Sequence, residues 1–300
     1  MTEKDIVRAT RATARVALVT CAEFADLEAD DRLVLAPLAS HGIAAEPAVW
    51  DDPTVDWAAY DLAVLRSPWD YPARREEFLA WAARVPRLAN PADVVAWNTD
   101  KRYLVDLATA GVPVVPTTWL DPGTPWTPPE TGRIVLKPAV GAGSIDAGQY
   151  DCADREHRRL AADHVARLHA AGRTVMLQPY LPAVDTYGET ALLFFRGAYS
   201  HAIRKGPMLA GPDLGTKGLY KPEQISAREP TPAERAVAER VLAAVPGAPD
   251  LLYARVDLIP GPDGAPVLVE LELTEPSLFL ALARGAADRF AAAVAATLGV

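Results

Sequence analysis

The sequence predicts an α/β protein made of two or three packed units. Near the N-terminus, β-rich runs at 16–19 and 62–65 alternate with helical periodicity at 33–41 and 76–85, which is typical of a parallel sheet flanked by helices. Later in the chain, pairs of apolar runs separated by turn residues predict hairpins, so the remainder is expected to be α+β. A length of 300 residues supports several units, because one domain usually holds about 100 to 200 residues.

The second unit is predicted to begin near Asn98. Asn98 or Thr99 is suited to cap a short helix that runs through Lys101 and stops at Gly111. Strands are expected at 113–119, 134–136 and 174–181, with a Pro- and Gly-rich loop at 122–132 and a helix at about 154–171.

The third part of the chain is predicted to contain two hairpins and two helices. The hairpins pair 191–195 with 198–203 and 252–259 with 267–273. Thr231-Pro232-Ala233-Glu234 combines a capping threonine, a proline at the first helical position and a glutamate placed to reach back, so a helix should begin there. The final helix is expected from about Phe279.

Composition restricts the classes of function. Hydrophobic residues make up 50% and charged residues 23% of the chain, as in ordinary globular proteins. We expect a cytoplasmic protein, because no run reaches the roughly 18 apolar residues of a membrane span, residues 1–14 lack the apolar stretch of a signal peptide, and two cysteines are too few for a disulfide framework. The net charge of -9 disfavours nucleic-acid binding, which needs clustered Lys and Arg.

Three acidic residues are predicted to face one another across the last hairpin. Glu270 and Glu272 share a strand face, with Val269 on the other, and folding back brings Asp257 opposite Glu270. Opposed carboxylates destabilise a hairpin unless solvent or a cation separates them, and such oxygen ligands suit magnesium. Arg255 shares the face of Asp257 and is available to a phosphate oxygen. A solvated acidic strand face is the alternative interpretation.

Several cations precede this hairpin. Lys137 ends an apolar run just before the loop Gly141-Ala142-Gly143-Ser144, whose backbone N–H groups are suited to phosphate. The loop lacks the Gly-Lys-Ser or Gly-Lys-Thr of a Walker motif, and a strand-end lysine beside a simple turn is the alternative. Lys101 falls in the first turn of its predicted helix, where the helix dipole disfavours a cation, which indicates another role. Arg204 and Lys205 add positive charge at a strand end.

Two sets of motifs carry a resemblance. The first is Asp100-Lys101, Val135-Leu136-Lys137-Pro138, Leu177-Gln178-Pro179-Tyr180-Leu181, Arg255-Val256-Asp257 and Glu270-Leu271-Glu272, and this order resembles the ATP-grasp superfamily. The second is Arg66-Ser67-Pro68-Trp69 at the end of a predicted strand, Asp100-Lys101-Arg102-Tyr103-Leu104, Gly188-Glu189-Thr190, Tyr199-Ser200-His201-Ala202-Ile203 and Glu275-Pro276-Ser277-Leu278. This set is similar to the cyclo-ligases that act on O-ureido-D-serine in D-cycloserine biosynthesis.

The resemblance implies three domains and a role for each motif. The domains would be a parallel-sheet preATP-grasp domain at 1–97, a central domain at 98–181 and a metal-bearing domain at 182–300. ATP would contact Lys101, Lys137, Gly141, Gly143, Ser144, Gln178, Pro179, Tyr180, Leu181 and Asp185, and Mg2+ would bind Asp257, Glu270 and Glu272. Arg255, Lys137 and Lys205 would be catalytic, and the substrate would contact Arg66, Ser67, Trp69, Glu189, His201, Arg204, Glu275 and Ser277.

The implied reaction activates a small, amino-acid-like carboxylate. Its phosphorylation by ATP gives an acyl phosphate, which an amine-type nucleophile attacks, within the same molecule in a cyclo-ligase. A small-molecule kinase and a non-catalytic ATP-binding module are the alternatives, and a homodimer is left open. The glycine loop and residues 208–221 differ from the cyclo-ligase pattern, so specificity is expected to reside there.

Overall fold

Three β-sheets follow one another along the chain in the structure, a computed structural model that describes residues 13–215, 218–220, 224–247 and 250–300. The prediction that residues 1–14 hold no signal peptide concerns a segment of which residues 1–12 lie outside the described residues. Over the described ranges, no helix is both long enough and apolar enough to cross a membrane.

The first sheet is parallel and has the order β2-β1-β3-β4. Its elements are β1 (Ala14–Thr20), α1 (Leu35–Ser40), β2 (Ile43–Val49), β3 (Leu62–Ser67), α2 (Arg75–Ala82), β4 (Leu88–Ala89) and α3 (Ala92–Asn98). The structure thus has the predicted alternation of strands and helices. The apolar run in β1 is buried on both faces, as expected for a central parallel strand.

The second sheet is antiparallel and has the order β5-β8-β6-β7. It is formed by β5 (Thr118–Leu120), β6 (Arg133–Pro138), β7 (Gly148–Asp151) and β8 (Val175–Pro179), and α5 (Arg155–Ala170) packs against it. Helix α4 (Tyr103–Thr109) packs in the core of the third sheet, and α6 (Ala183–Thr186) follows β8. The strand predicted at 113–119 was wrong in extent. Its first part instead bonds to the third sheet, where Leu268 exchanges backbone hydrogen bonds with Pro113 and Val115.

The predicted cap at Asn98 or Thr99 was also wrong. Asn98 ends α3, and its side chain donates to the Leu271 carbonyl and accepts from the Leu273 N–H at 2.8 Å each, so tertiary contacts occupy it. Helix α4 begins only at Tyr103. Lys101 therefore lies in the turn before the helix and not in its first turn.

The third sheet is antiparallel, in the order β11-β10-β9-β12-β13. It comprises β9 (Glu189–Phe195), β10 (Ala198–Lys205), β11 (Ile225–Arg228), β12 (Tyr253–Pro260) and β13 (Pro266–Glu272), with α7 (Pro232–Ala243) and α8 (Ala286–Leu298). Both predicted hairpins and the capping box of α7 at Thr231 are confirmed. The last helix begins later than Phe279, because Phe279 and Gly285 have left-handed backbones with φ of 50° and 72°.

The first and third sheets share a core. Helix α8 contributes Phe290 to a buried cluster that joins Val16 and Leu18 of the first sheet to Phe195 and Tyr253 of the third. This shared packing fixes the carboxyl edge of β3 against the loop that follows β13. The three sheets then surround one cavity.

Candidate active site

The cavity has a volume of about 450 Å³ and is lined by residues of the second and third sheets and by residues that lie between the strands of the first sheet. Among the predicted site residues, those that line it are Trp69, Lys101, Lys137, Gly141, Gly143, Ser144, Gln178, Pro179, Tyr180, Leu181, Glu189, Lys205, Arg255, Glu270, Glu272, Glu275 and Ser277. Trp69 and Ser277, 208 positions apart in the sequence, therefore meet here, which short-range patterns cannot establish.

Two lysines lie at one end of the cavity in different electrostatic states. The Lys101 ammonium donates to the Gly141 carbonyl at 2.6 Å and pairs with Glu270 at 3.0 Å. Lys137, on β6, has no carboxylate of the described residues within 4.0 Å of its nitrogen, although it lines the cavity. A cation that faces a cavity without an acidic partner is suited to an anionic ligand.

The pKa values of the two lysines reflect this difference. Burial lowers the pKa of Lys137, and the charges of Lys101 and Lys205 lower it further against the attraction of Glu270. Burial also lowers the pKa of Lys101, but attraction to Glu270 outweighs it, so this pKa lies above its usual value. An incoming polyanion would favour the charged form of both.

The glycine loop packs closely against another segment that lines the cavity. Gly143 has a φ of 58°, and a Cβ atom there would lie 2.3 Å from the Leu219 carbonyl oxygen and 2.6 Å from Tyr220 Cα. The Ser144 Oγ atom lies 4.0 Å from the Sδ atom of Met208, which also lines the cavity. The loop and this segment thus close over the cavity together.

The segment Gln178 to Leu181 lines the cavity where β8 ends. One of its backbone groups is already hydrogen-bonded, because the Tyr180 N–H donates to the Arg133 carbonyl at 2.9 Å. The Gln178 side chain donates to Thr117 Oγ1, also at 2.9 Å. Asp185 does not line the cavity. Its carboxylate accepts from the Tyr180 hydroxyl and lies 3.6 Å from Arg133.

The acidic hairpin has the predicted register, with Asp257 opposite Glu270 and Arg255 opposite Glu272. Asp257 is fully buried, and both of its oxygens are paired: Oδ1 with Arg255 Nε at 2.9 Å and Oδ2 with Lys205 Nζ at 2.7 Å. Arg255 also pairs with Glu272. Cations therefore separate the three carboxylates.

A bulge changes the predicted pattern of β13. The pairing shifts by one residue after Asp257, so Leu268 pairs with Leu258 and Val269 is the extra residue. Leu268 is buried in the core while Val269 lines the cavity. The prediction that Val269 lies on the face opposite Glu270 was therefore wrong, because the bulge interrupts the alternation.

The two cavity-facing glutamates differ in pKa. Burial alone would raise the pKa of Glu270, yet the charges of Lys101, Lys137 and Lys205 bring it down to about 2. Burial raises the pKa of Glu272 to about 8 against the attraction of Arg255, and repulsion from Glu270 and Asp257 adds to the rise. Glu270 therefore ionises at a much lower pH than Glu272.

Two of the three carboxylates predicted to bind magnesium are accessible from the cavity and suit this ion. Glu270 and Glu272 leave 23% and 22% of their side chains accessible, whereas Asp257 leaves 0%. Magnesium commonly takes one or two carboxylates and completes its shell with water and phosphate oxygens. Within the described residues, no group of three Asp, Glu, His or Cys side chains is arranged to hold a metal ion, so the predicted three-carboxylate site is not formed by the side chains as they stand.

Four of the predicted substrate residues lie away from the cavity. Arg66 is fully buried and donates to Asp31 and to the Pro276 carbonyl, and Ser67 Oγ is 3.0 Å from Thr20 Oγ1. His201 Nε2 lies 2.8 Å from the Leu278 carbonyl, while Arg204 donates to the carbonyls of Thr186 and Tyr187. Each has a partner in the protein, which accounts for its position outside the cavity.

The sequence interpretation missed several cavity residues, among them Tyr71 and Phe279, whereas Met208 and Tyr220 lie within the region 208–221 in which specificity was expected. Tyr71 follows the Arg66 to Trp69 motif by two residues, so the motif itself pointed to it. Tyr220 lies 5.6 Å from the Trp69 ring, centroid to centroid, and no short motif marks this contact. Of the predicted specificity region, residues 216–217 and 221 lie outside the described residues.

Comparisons with known proteins show the family to which the chain belongs. A family model described as the N-terminal domain of D-cycloserine synthetase DcsG matches residues 16–90. The chain is 43% identical over 303 residues to the cycloserine biosynthesis protein DcsG of Streptomyces lavendulae, covering 94% of this chain and 98% of that protein. The chain belongs to the DcsG family.

Solved structures extend the DcsG comparison to the fold. A crystal structure of D-cycloserine synthetase DcsG is similar with a TM-score of 0.85 and 41% identity, covering 95% of this chain and 100% of that one. The ATP-grasp ligase PsnB, complexed with a phosphomimetic variant of its minimal precursor, Mg and ADP, has a TM-score of 0.61 at 18% identity, covering 95% and 99%. The predictions of an ATP-grasp fold and an ATP-dependent ligase are confirmed, and binding of ATP with Mg2+ is general among these ligases.

Proposed function

We propose that this chain is a Mg2+- and ATP-dependent cyclo-ligase that activates the carboxylate of O-ureido-D-serine as an acyl phosphate. A nitrogen of the same molecule then attacks the acyl carbon, phosphate leaves, and the ring from which D-cycloserine derives is closed. The DcsG relative, named for cycloserine biosynthesis and 43% identical, supports the substrate. The charge arrangement of the cavity supports the chemistry.

One observation carries the proposal of phosphoryl transfer. Lys137 faces the cavity without an acidic partner among the described residues, and Lys101, Lys205 and Arg255 line the same cavity. Phosphoryl transfer needs little covalent chemistry from the protein, so positioning and charge stabilisation are the main requirements. A cluster of cations on rigid strands meets them.

Each residue then has a physical role. Lys101 and Lys137 would bind the phosphates, while Arg255 and Lys205 would stabilise charge on the transferred group. Glu270 and Glu272 would hold Mg2+, which neutralises phosphate charge when bound. Asp257, behind them, fixes Arg255 and Lys205 through its two ion pairs.

ADP release with and without hydroxylamine tests this function. With O-ureido-D-serine, the enzyme should release ADP, and hydroxylamine should trap the acyl phosphate as a hydroxamate. D-Serine and the L-enantiomer of the substrate are the comparison compounds, for which slower turnover is expected. ADP release with a stable phosphorylated alcohol and no hydroxamate would show a kinase instead.

Three further predictions about the chain remain proposals. Domain boundaries at 97–98 and 181–182 can be tested by limited proteolysis. A homodimer can be tested by light scattering, and a cytoplasmic location by cell fractionation.

A further inference from the structure

Glu275 is a buried acid in the loop that follows β13, and the phosphoryl-transfer chemistry above does not use it. Only 9% of its surface is accessible, and it lines the cavity. Its backbone carbonyl accepts from Trp69 Nε1 at 3.1 Å, which fixes the loop against the first sheet. Glu275 therefore faces the cavity from a fixed backbone position.

The neighbouring acidic side chains have cationic partners, whereas Glu275 has none among the described residues. Glu189 and Asp257 pair with Lys205, Glu270 with Lys101, and Glu272 with Arg255. Among the described residues, no Lys, Arg or His nitrogen lies within 4.0 Å of the Glu275 carboxylate. Tyr71, whose hydroxyl is neutral, lines the same cavity.

Two other acids at the cavity are held by backbone groups. Glu28 accepts from the Asp30 N–H at 2.7 Å, and Asp30 accepts from the N–H groups of Leu280 and Ala281. Glu28 thus serves a local turn, and Asp30 binds the backbone of a segment about 250 residues away in the sequence. A buried carboxylate without a counter-charge is costly to keep, so Glu275 is the acid best suited to a cationic ligand.

The position of Glu275 relative to Arg255 restricts the kind of cation. Arg255, beside which the carboxylate would be activated, donates to the Ser277 carbonyl at 3.3 Å, so the loop 275–277 folds around it. In an α-amino acid, the ammonium nitrogen lies only about 2.5 Å from the carboxyl carbon. A substrate with its carboxylate at Arg255 therefore places its ammonium in the neighbourhood of this loop.

We propose that Glu275 binds the α-ammonium group of the substrate and so selects amino acids over simple carboxylic acids. This inference rests on the proposed function, because it assumes that an amino-acid carboxylate is activated at this cavity. Burial raises the pKa of Glu275 to about 7, against the opposing effects of Tyr71 and Lys101. A bound ammonium would favour the ionised carboxylate and complete the ion pair.

The test compares Glu275→Gln with the wild-type enzyme on two substrates, O-ureido-D-serine and its desamino analogue, which has hydrogen in place of the amino group. The wild-type enzyme should prefer the amino substrate in kcat/KM by about 30-fold or more, because breaking a buried charge pair is costly. In Glu275→Gln this preference should fall towards unity, while the KM for ATP stays within about twofold.

Glu28→Gln is the matched control, since it neutralises another carboxylate of the same cavity and should keep the wild-type preference. Thermal unfolding confirms that each variant is folded. A preference that survives in Glu275→Gln, or that disappears in Glu28→Gln instead, overturns the inference. Absence of ATP turnover by the wild-type enzyme with either compound would instead count against the proposed function.

Discussion

Replacing Gly143 by alanine tests whether the glycine loop and the segment carrying Leu219 and Tyr220 must close together for ATP to bind. A left-handed backbone costs an alanine about 1 to 2 kcal/mol. In addition, the new Cβ would lie 2.3 Å from the Leu219 carbonyl oxygen, whereas real Cβ contacts below 3.0 Å are essentially absent. The two segments must therefore separate by several tenths of an ångström, and displacements of about 1 Å at a reaction site can cost 100-fold in rate.

Gly172→Ala is the matched control for the backbone penalty. Gly172 also has a positive φ, 70°, but a Cβ atom there would have no neighbour within 4 Å. Both variants should lose about 1 to 2 kcal/mol of unfolding free energy in urea. Only Gly143→Ala should lower kcat/KM for ATP, by about tenfold to 100-fold. Equal kcat/KM values in the two variants would refute the reasoning that the close approach matters.

The remaining predictions concern charge. Glu270→Gln should nearly abolish ADP release, and unchanged turnover would place the metal elsewhere. Lys137→Met should raise the KM for ATP about tenfold or more, since a charged hydrogen bond contributes about 1.5 to 3 kcal/mol, and an unchanged KM would remove Lys137 from the phosphate site. Burial lowers the pKa of His164 from 6.5 to about 4, so the unfolded chain binds a proton at this side chain more tightly than the folded chain does. The contribution of His164 to stability should be complete above pH 6.5 and fall by about 2 kcal/mol at pH 5, measured as the difference in urea unfolding between the wild type and His164→Gln. A His164→Gln variant with the same pH dependence would contradict this assignment.

The sequence predicted the parts of the fold that local chemistry determines. The capping box at Thr231 is correct because its two hydrogen bonds lie within four residues. The cap at Asn98 failed because partners 173 and 175 residues away occupy its side chain. Strand β2, which contains a glutamate and a proline, was not predicted because its pairing with β1, not an apolar pattern, defines it.

The site was predictable to a similar degree. A hairpin fixes which residues face each other, so the pairing of Asp257 with Glu270 followed from the sequence. The bulge at Val269 did not, because a single inserted residue leaves no clear compositional mark. The state of Glu275 depends on which cations the fold places near it, and that information is entirely tertiary.

The charge of the cavity links the metal to nucleotide binding. Among the described residues, the cavity is lined by six carboxylates, those of Glu28, Asp30, Glu189, Glu270, Glu272 and Glu275, and by four cations, those of Lys101, Lys137, Lys205 and Arg255. Glu270, whose pKa is brought down to about 2 by the neighbouring lysines, is ionised and repels free ATP, a polyanion, so a divalent ion has to offset this repulsion. Glu270→Gln removes one carboxylate and releases Lys101, so ATP affinity should rise in EDTA but fall in magnesium. A variant whose affinity changed in the same direction under both conditions would show that Glu270 does not act through the metal.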